Sequence, residues 1–439
     1  MLGLRQIVFF LFLGVSTWSF SQDNFQLPSH KKQDKIKFQL VNNMILLPVK
    51  VNGVPLTFLL DTGASSSVIF SFEALDTLKL NNSTVIQLRG LSKEQPIDAL
   101  KSEGNSVEIG KSKHNNMTIY VVFDGILNFT SRLGVPIHGI IGGDFLKDFV
   151  VAVNYKTERL KIIKREFYKP KNNSKDLVIP LEFRTGKPYF NAVYTENGNR
   201  KQVKLLIDSG SGDALWLFDD EEREINIPEK AFDDYLGLGI NGDIYGKRFK
   251  VDQLEIADFT FTNVNTAFPE INFLKTQFLS NIDGSIGGEI LKRFHFVIDY
   301  ANQTLALRKN SNYNAPFHYN MSGITLEHGD LTVFKERQNQ LSNLNHNETS
   351  NSVFIPSYDT YSVKLLPRYV VTEIRKNSPA DRAGILLGDE IIEINNESVH
   401  KYKLYEINSM FYTKEGKTLH LKIQRGFVEK KVKFVLEDL

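Results

Sequence analysis

From Ile36 to about residue 310 the hydrophobic positions come in short strand-like runs separated by Asn and Gly, and helical periodicity is scarce. Lys37–Val41 and Met44–Val51 predict strands, Asn52-Gly53 predicts a tight hairpin turn, and Leu56–Leu60 predicts a strand that ends on Asp61. The device recurs downstream: Asn197-Gly198-Asn199 precedes a predicted strand at Val203–Ile207, which ends on Asp208. Further strand-like pieces fall at Thr84–Leu91 and Met117–Phe123, and again at Leu236–Asp243, Phe249–Ile256 and Phe259–Phe268. Short helices are expected only at Gly143–Lys147 and Gly288–Arg293.

A second pair of blocks repeats in the same order. HGIIGGDFLKDFVVAVNY (138–155) and DGSIGGEILKRFHFVIDY (283–300) share 8 of 18 aligned positions. The blocks are offset by 145 residues (138 to 283) and the acidic loops by 147 (61 to 208), so two copies of one fold unit are expected. Beyond Asn310 the character shifts. Phe317–Glu327 carries a Ser322-Gly323 turn and a short strand, Glu336–Ser352 is polar and poor in core residues, and ordered patterning returns at Tyr369.

Composition narrows the chemistry. The chain has 439 residues, room for two to four domains, with 41% hydrophobic and 24% charged residues. A net charge of +2 offers no electrostatic case for nucleic acid or an anionic membrane. Zero cysteines exclude a cysteine nucleophile, disulfides and thiolate zinc. The nine histidines are scattered, with no His-Glu-x-x-His pattern, so neither a metal nor another cofactor is expected. Arg5, the apolar run Ile7–Val15, and Ser19 and Ser21 ahead of Gln22 have the layout of a secretory signal peptide over 1–21. The run is shorter than the ~20 residues of a membrane span. An exported protein without stable membrane insertion, periplasmic or secreted, is therefore expected. Gln22–Lys35 looks like a loose lead-in; either it, as a pro-segment, or the polar insert farther along could block the site until cut.

The candidate chemistry lies in the acidic loops. A carboxylate at the end of a buried strand is costly unless paired, and such groups concentrate at functional sites. Two carboxyls a few ångströms apart share one proton. The ionised one takes a proton from an attacking water while the protonated one hydrogen-bonds the substrate carbonyl. Gly63 and Gly210 permit close approach of the loops, and the hydroxyls of Thr62 and Ser209 offer bonds across between them.

With Asp61-Thr62-Gly63 and Asp208-Ser209-Gly210, each followed by a block holding Ile140-Ile141-Gly142 or Ser285-Ile286-Gly287, the chain resembles the pepsin-like and retropepsin-like aspartic proteases over residues ~36 to ~310. The resemblance implies a mainly β, bilobal double β-barrel, catalytic Asp61 and Asp208, and an apolar-apolar-Gly segment cradling each acidic loop. It also implies a flap over the cleft. Arg89–Ala99 or Gly239–Phe249 suits that role, and neither carries a signature that assigns flap residues. In the family a hydroxyl after each glycine donates toward the carboxylates. Ser211 supplies one here and Ala64 does not, so the dyad is expected to titrate higher than in pepsins.

Tyr369–Leu439 resembles a bacterial-type PDZ domain: strand Val370–Ile374, Ser378-Pro379-Ala380 opening a short helix, the Gly388-Asp389 turn, a longer helix at Leu404–Phe411, and closing strands at Leu419–Arg425 and Val432–Leu436. A first strand is expected at Gly323–Glu327, and Tyr319–Gly323 is the candidate carboxylate-binding loop. The resemblance implies capture of an extended peptide, often its C-terminus, at a sheet edge. The alternative role for the module is a structural prop or an oligomer contact.

The expected organisation is a signal peptide (1–21), lobe 1 (22–167), lobe 2 (168–311), and a PDZ-like α/β domain (312–439) with a flexible insert at about 330–366. The expected activity is that of an exported aspartic endopeptidase acting on peptide or unfolded protein. A catalytically inactive peptide-binding adaptor on the same fold is the alternative. Two other motifs are set aside. Gly237–Gly242 spells a dinucleotide fingerprint without the βαβ setting and fits a turn, and Gly110-Lys111-Ser112 lacks the spacing of a phosphate loop. Cleavage preference, natural substrate, PDZ ligand and oligomeric state leave no trace in the motifs.

Overall fold

In the computed structural model the described residues are 24–70, 78–88, 97–122, 129–170, 175–239, 242–270, 282–338 and 360–438. The N-terminal run expected to be a signal peptide lies outside them. The chain is mainly β.

Two eight-stranded sheets have the same strand order. In the first, Met44–Val51 pairs with Val54–Leu60, which runs parallel to Gly139–Ile141. Val68–Ile69 follows, then the long strands Ser112–Val122 and Ile97–Ile109, with Ser83–Leu88 at the edge. A second contact of Met44–Val51, with Ile97–Ile109, curls the sheet toward a barrel. In the second sheet Lys187–Glu196, Asn199–Ile207, Gly284–Ile286, Leu215–Leu217, Phe259–Pro269 and Gly242–Ile256 take the equivalent places, and Lys187–Glu196 returns to pair with Gly242–Ile256. Alternating burial shows why these residues form strands: along Met44–Val51, Leu47, Val49 and Val51 are buried while Pro48 and Lys50 are exposed, so one face fills the barrel.

The two lobes share a six-stranded sheet. At its centre Val150–Asn154 pairs antiparallel with Phe294–Asp299, Ala152 opposite Val297. These are the closing strands of the two repeated blocks, so the repeat is joined to itself about a local twofold. Gln33–Lys37 forms one edge of this sheet, paired with Arg159–Ile163. The lead-in is thus not loose. Phe25 and Leu27 are buried in the lobe core, and Phe25 N–H donates to Asp148. Its apolar residues at alternate positions give it a place to dock, away from the acidic loops.

The C-terminal unit orders its strands Ile324–Gln338, Thr360–Ile374, Glu390–Ile394, Thr418–Arg425 and Val428–Val435 around a separate core of Ile324, Leu326, Ile391, Leu404, Ile407 and Leu421. Ser378 caps the helix Pro379–Arg382, accepting from Asp381 N–H, and the helix Leu404–Met410 packs beside Ile324–Gln338. The first strand is longer than expected. Leu331–Gln338 pairs with Thr360–Pro367, so much of the region anticipated as a flexible insert is a two-stranded ribbon, and residues 339–359 lie outside the described ones. Leu331, Val333, Val363 and Leu365 supply the β-branched and apolar alternation that the polar composition between them obscured.

Candidate active site

Each acidic loop is set by the parallel pair beneath it. Leu60 pairs with Ile141 and Ile207 with Ile286, and the N–H groups of Asp61 and Asp208 donate to the carbonyls of Ile141 and Ile286 at 3.0 and 2.9 Å. Past the loops, Gly143 N–H reaches Ala64 O at 2.8 Å and Gly288 N–H reaches Ser211 O at 2.7 Å. A side chain at Gly142 or Gly287 has no room, because a Cβ there would come within 2.5 Å of the Ala64 or Asp213 carbonyl oxygen.

The structure brings Asp61 and Asp208 together, half-buried, with Oδ1 of each beside Gly63. A Cβ on Gly63 would lie 3.1 Å from Oδ1 of both, and one on Gly210 would lie 2.5 Å from Cγ of Asp61. A side chain at Gly210 would displace the Asp61 carboxyl, and one at Gly63 would press on both carboxyls. Gly63 N–H donates to Asp61 Oδ1 at 2.7 Å, and Gly210 N–H to Asp208 Oδ1 at 3.0 Å.

Below the carboxyls the loops exchange four buried hydrogen bonds. Thr62 Oγ1 donates to Ile207 O (2.6 Å) and accepts from Ser209 N–H (2.9 Å). Ser209 Oγ donates to Leu60 O (2.8 Å) and accepts from Thr62 N–H (3.1 Å). Each hydroxyl therefore satisfies two backbone groups, both of the other lobe, and the two acidic loops are held by one crosslink.

Burial, followed by the adjoining charge of Asp61, pushes Asp208 up to about 8. Burial also raises Asp61, against the Gly63 N–H and the hydrogen bond from Asp208, which favour its ionised form. With one carboxyl ionised the other is favoured neutral, so the shared proton belongs to the pair. The hydroxyl after the second glycine has no part in this. Ser211 Oγ accepts from Asp213 N–H at 3.3 Å and, among the described residues, bonds to neither carboxyl. Desolvation is the largest cause of the upward shift at both carboxyls.

Sequence patterning missed the residues that each lobe lends to the other. Asn43, in the turn before Met44, donates to Gly212 O at 2.8 Å and to Glu289 at 2.9 Å. In the equivalent turn of lobe 2, Thr185 O accepts from Ser65 Oγ at 2.5 Å. Continuing the register of Tyr189 with Leu206 by two residues aligns Lys187 with Asp208, and the same step from Leu46 and Leu59 aligns Met44 with Asp61. Lys187 is the cation whose charge favours ionisation of both carboxyls, and its counterpart is apolar. The only signal for it in the sequence is its place two hairpin positions ahead of the repeated Asp loop. Of the hairpins considered as a flap, Phe232–Gly239 with Gly242–Ile256 puts Gly237–Gly242 at its tip, while residues 89–96 and 240–241 lie outside the described ones. Gly110 occupies a hairpin turn with φ +59°. Among the described residues no group of three or more His, Asp or Glu is placed to hold a metal ion.

Residues 47–145 match the family model described as aspartyl protease, and residues 370–425 match that of the PDZ domain. No curated protein matches the chain. Among solved structures, that of an aspartic proteinase from Irpex lacteus is similar at 14% identity with a TM-score of 0.41, covering 64% of this chain and 99% of that one.

Proposed function

We propose that the chain is an aspartic endopeptidase in which Asp61 and Asp208 activate a water molecule against a peptide carbonyl. The observation that carries this is the meeting of the two carboxyls over Gly63, with burial raising both. The water oxygen bonds to the carbonyl carbon as Asp61 takes its proton, and the Asp208 proton passes to the carbonyl oxygen. The resulting tetrahedral diol collapses with cleavage of the C–N bond. One proton goes to the departing nitrogen and the other returns to the dyad, so water is the only co-reactant. The Thr62–Ser209 crosslink keeps the carboxyls in place through this exchange.

Peptide or unfolded protein is the substrate class, and the PDZ unit is a second surface for an extended peptide. Export follows from the N-terminal pattern, and the N-terminal residue of the mature chain, expected at Gln22, tests it. The activity is tested by digesting a peptide library from pH 3 to 9 with the purified chain. Asp61→Asn and Asp208→Asn each abolish cleavage on this reading, and a transition-state analogue of peptide hydrolysis inhibits the parent. Undiminished cleavage by Asp208→Asn would overturn it. Peptide binding without turnover at any pH would instead identify a binding adaptor.

A further inference from the structure

The outer edge of Ile324–Gln338 pairs with no strand among the described residues, and the helix Leu404–Met410 lies beside it. This is where a PDZ unit adds an extended peptide. The gap is not open. The lobe 1 helix Phe129–Leu133 contacts Ile324–Gln338, and Gly134, which ends it with φ +69°, is wedged between strand and helix. A Cβ on Gly134 would overlap Leu404 Cβ and lie 3.2 Å from His328 Cε1. Tyr405, Phe129 and Leu133 all pack against one apolar cluster of lobe 1. Arg132 ties three parts together: it pairs with Glu327 at 3.3 Å and with Asp243 of the lobe 2 hairpin at 2.6 Å, and it bonds Tyr235.

The other end of the gap is covered too. Tyr319, in the candidate carboxylate-binding loop, meets Phe232 edge-on at 5.1 Å, and Arg375 lies over the same ring at 4.9 Å. Tyr245 OH donates to Glu373 at 2.8 Å. The unit that would receive a peptide therefore presses its receiving side against both lobes.

We propose that residues 129–134 occupy the PDZ peptide gap in cis, so that docking of the PDZ unit on the lobes and binding of a peptide in trans exclude one another. A peptide has to displace Gly134 and take over Glu327, which selects for an extended segment carrying a cation where Arg132 now stands. The proposal rests on the peptide-capture reading above.

Two full-length variants test it. Arg132→Ala removes the charge contact, and Gly134→Val forces the wedge apart by shape. Amide exchange reports docking without reference to activity. Roughly tenfold faster exchange is expected at residues 325–328 and 404–407 in each variant, with residues 58–62 and 205–209 unchanged as a control on folding. Anisotropy with a fluorescent mixture of random ten-residue peptides reports capture, and binding at least roughly tenfold tighter than to the parent is expected. Exchange in both variants equal to that of the parent overturns the proposal, as does parent binding as tight as that of the variants, which leaves capture standing. Faster exchange with no peptide binding in any form overturns the capture reading itself and the proposal with it.

Discussion

Replacing Thr62 by valine deletes one hydroxyl and keeps the shape. That hydroxyl donates to Ile207 O and accepts from Ser209 N–H, and Thr62 is 2% exposed. Both backbone groups would be left buried without partners. Each such group costs about 1–3 kcal/mol. The second methyl of valine returns about 1 kcal/mol, so a net loss of about 1–5 kcal/mol is expected. Thr62→Ser keeps both hydrogen bonds and loses only a methyl, about 1 kcal/mol. The difference between the two variants isolates the crosslink. Urea unfolding of both, followed by intrinsic fluorescence, gives that difference directly. The crosslink also holds the carboxyls in register, so Thr62→Val should lose turnover well beyond what its folded fraction explains, while Thr62→Ser stays near the parent. A Thr62→Val variant within about 0.5 kcal/mol of Thr62→Ser, with normal turnover, would refute the idea that these bonds lock the two lobes at the dyad.

Other outcomes follow from the same geometry. Because burial raises Asp208 from 3.8 to about 8, its neutral form stabilises the fold fully below the lower value, and that contribution is lost as pH rises through the upper one. Asp208→Asn, neutral at every pH, should flatten the decline of stability between these limits, and an unchanged slope in chemical unfolding would contradict the assignment. The pH–rate profile of the parent should fall on its alkaline side near 8, with the acid limb above the usual carboxylate range because burial raises Asp61 as well. Lys187→Met, which installs the residue found at the matching place in lobe 1, removes a charge that favours both anions. Both limbs should move to higher pH, and Lys187→Arg should restore them; a profile indifferent to Lys187→Met would place that cation outside the dyad's field.

Much of the architecture was legible because it is local. Alternation along Met44–Val51, the Asn52-Gly53 turn and the apolar run into Asp61 depend on neighbouring residues, and the duplicated blocks announce two equivalent lobes. The paired loops also mark where to look for the acidic dyad. Less legible was the ribbon built on Leu331–Gln338 and Thr360–Pro367, since its polar setting hides a pairing that closes across more than twenty residues. The docked lead-in escaped notice for a similar reason: only Phe25 and Leu27 of it are buried, too few to make a periodic signal.

Side-chain order along the chain is enough to specify strands, tight turns, the duplication and the residue types of the acidic loops, because each is a property of a few consecutive positions. Folding in three dimensions alone decides that Thr62 grips Ile207 and Ser209, that the charge of Lys187 reaches both carboxyls, and that Gly134 closes the gap between His328 and Leu404. Several of these contacts join segments more than a hundred residues apart, and none follows from local periodicity. Their energies come from desolvation and exact partnering at the meeting of surfaces, which no run of consecutive residues encodes.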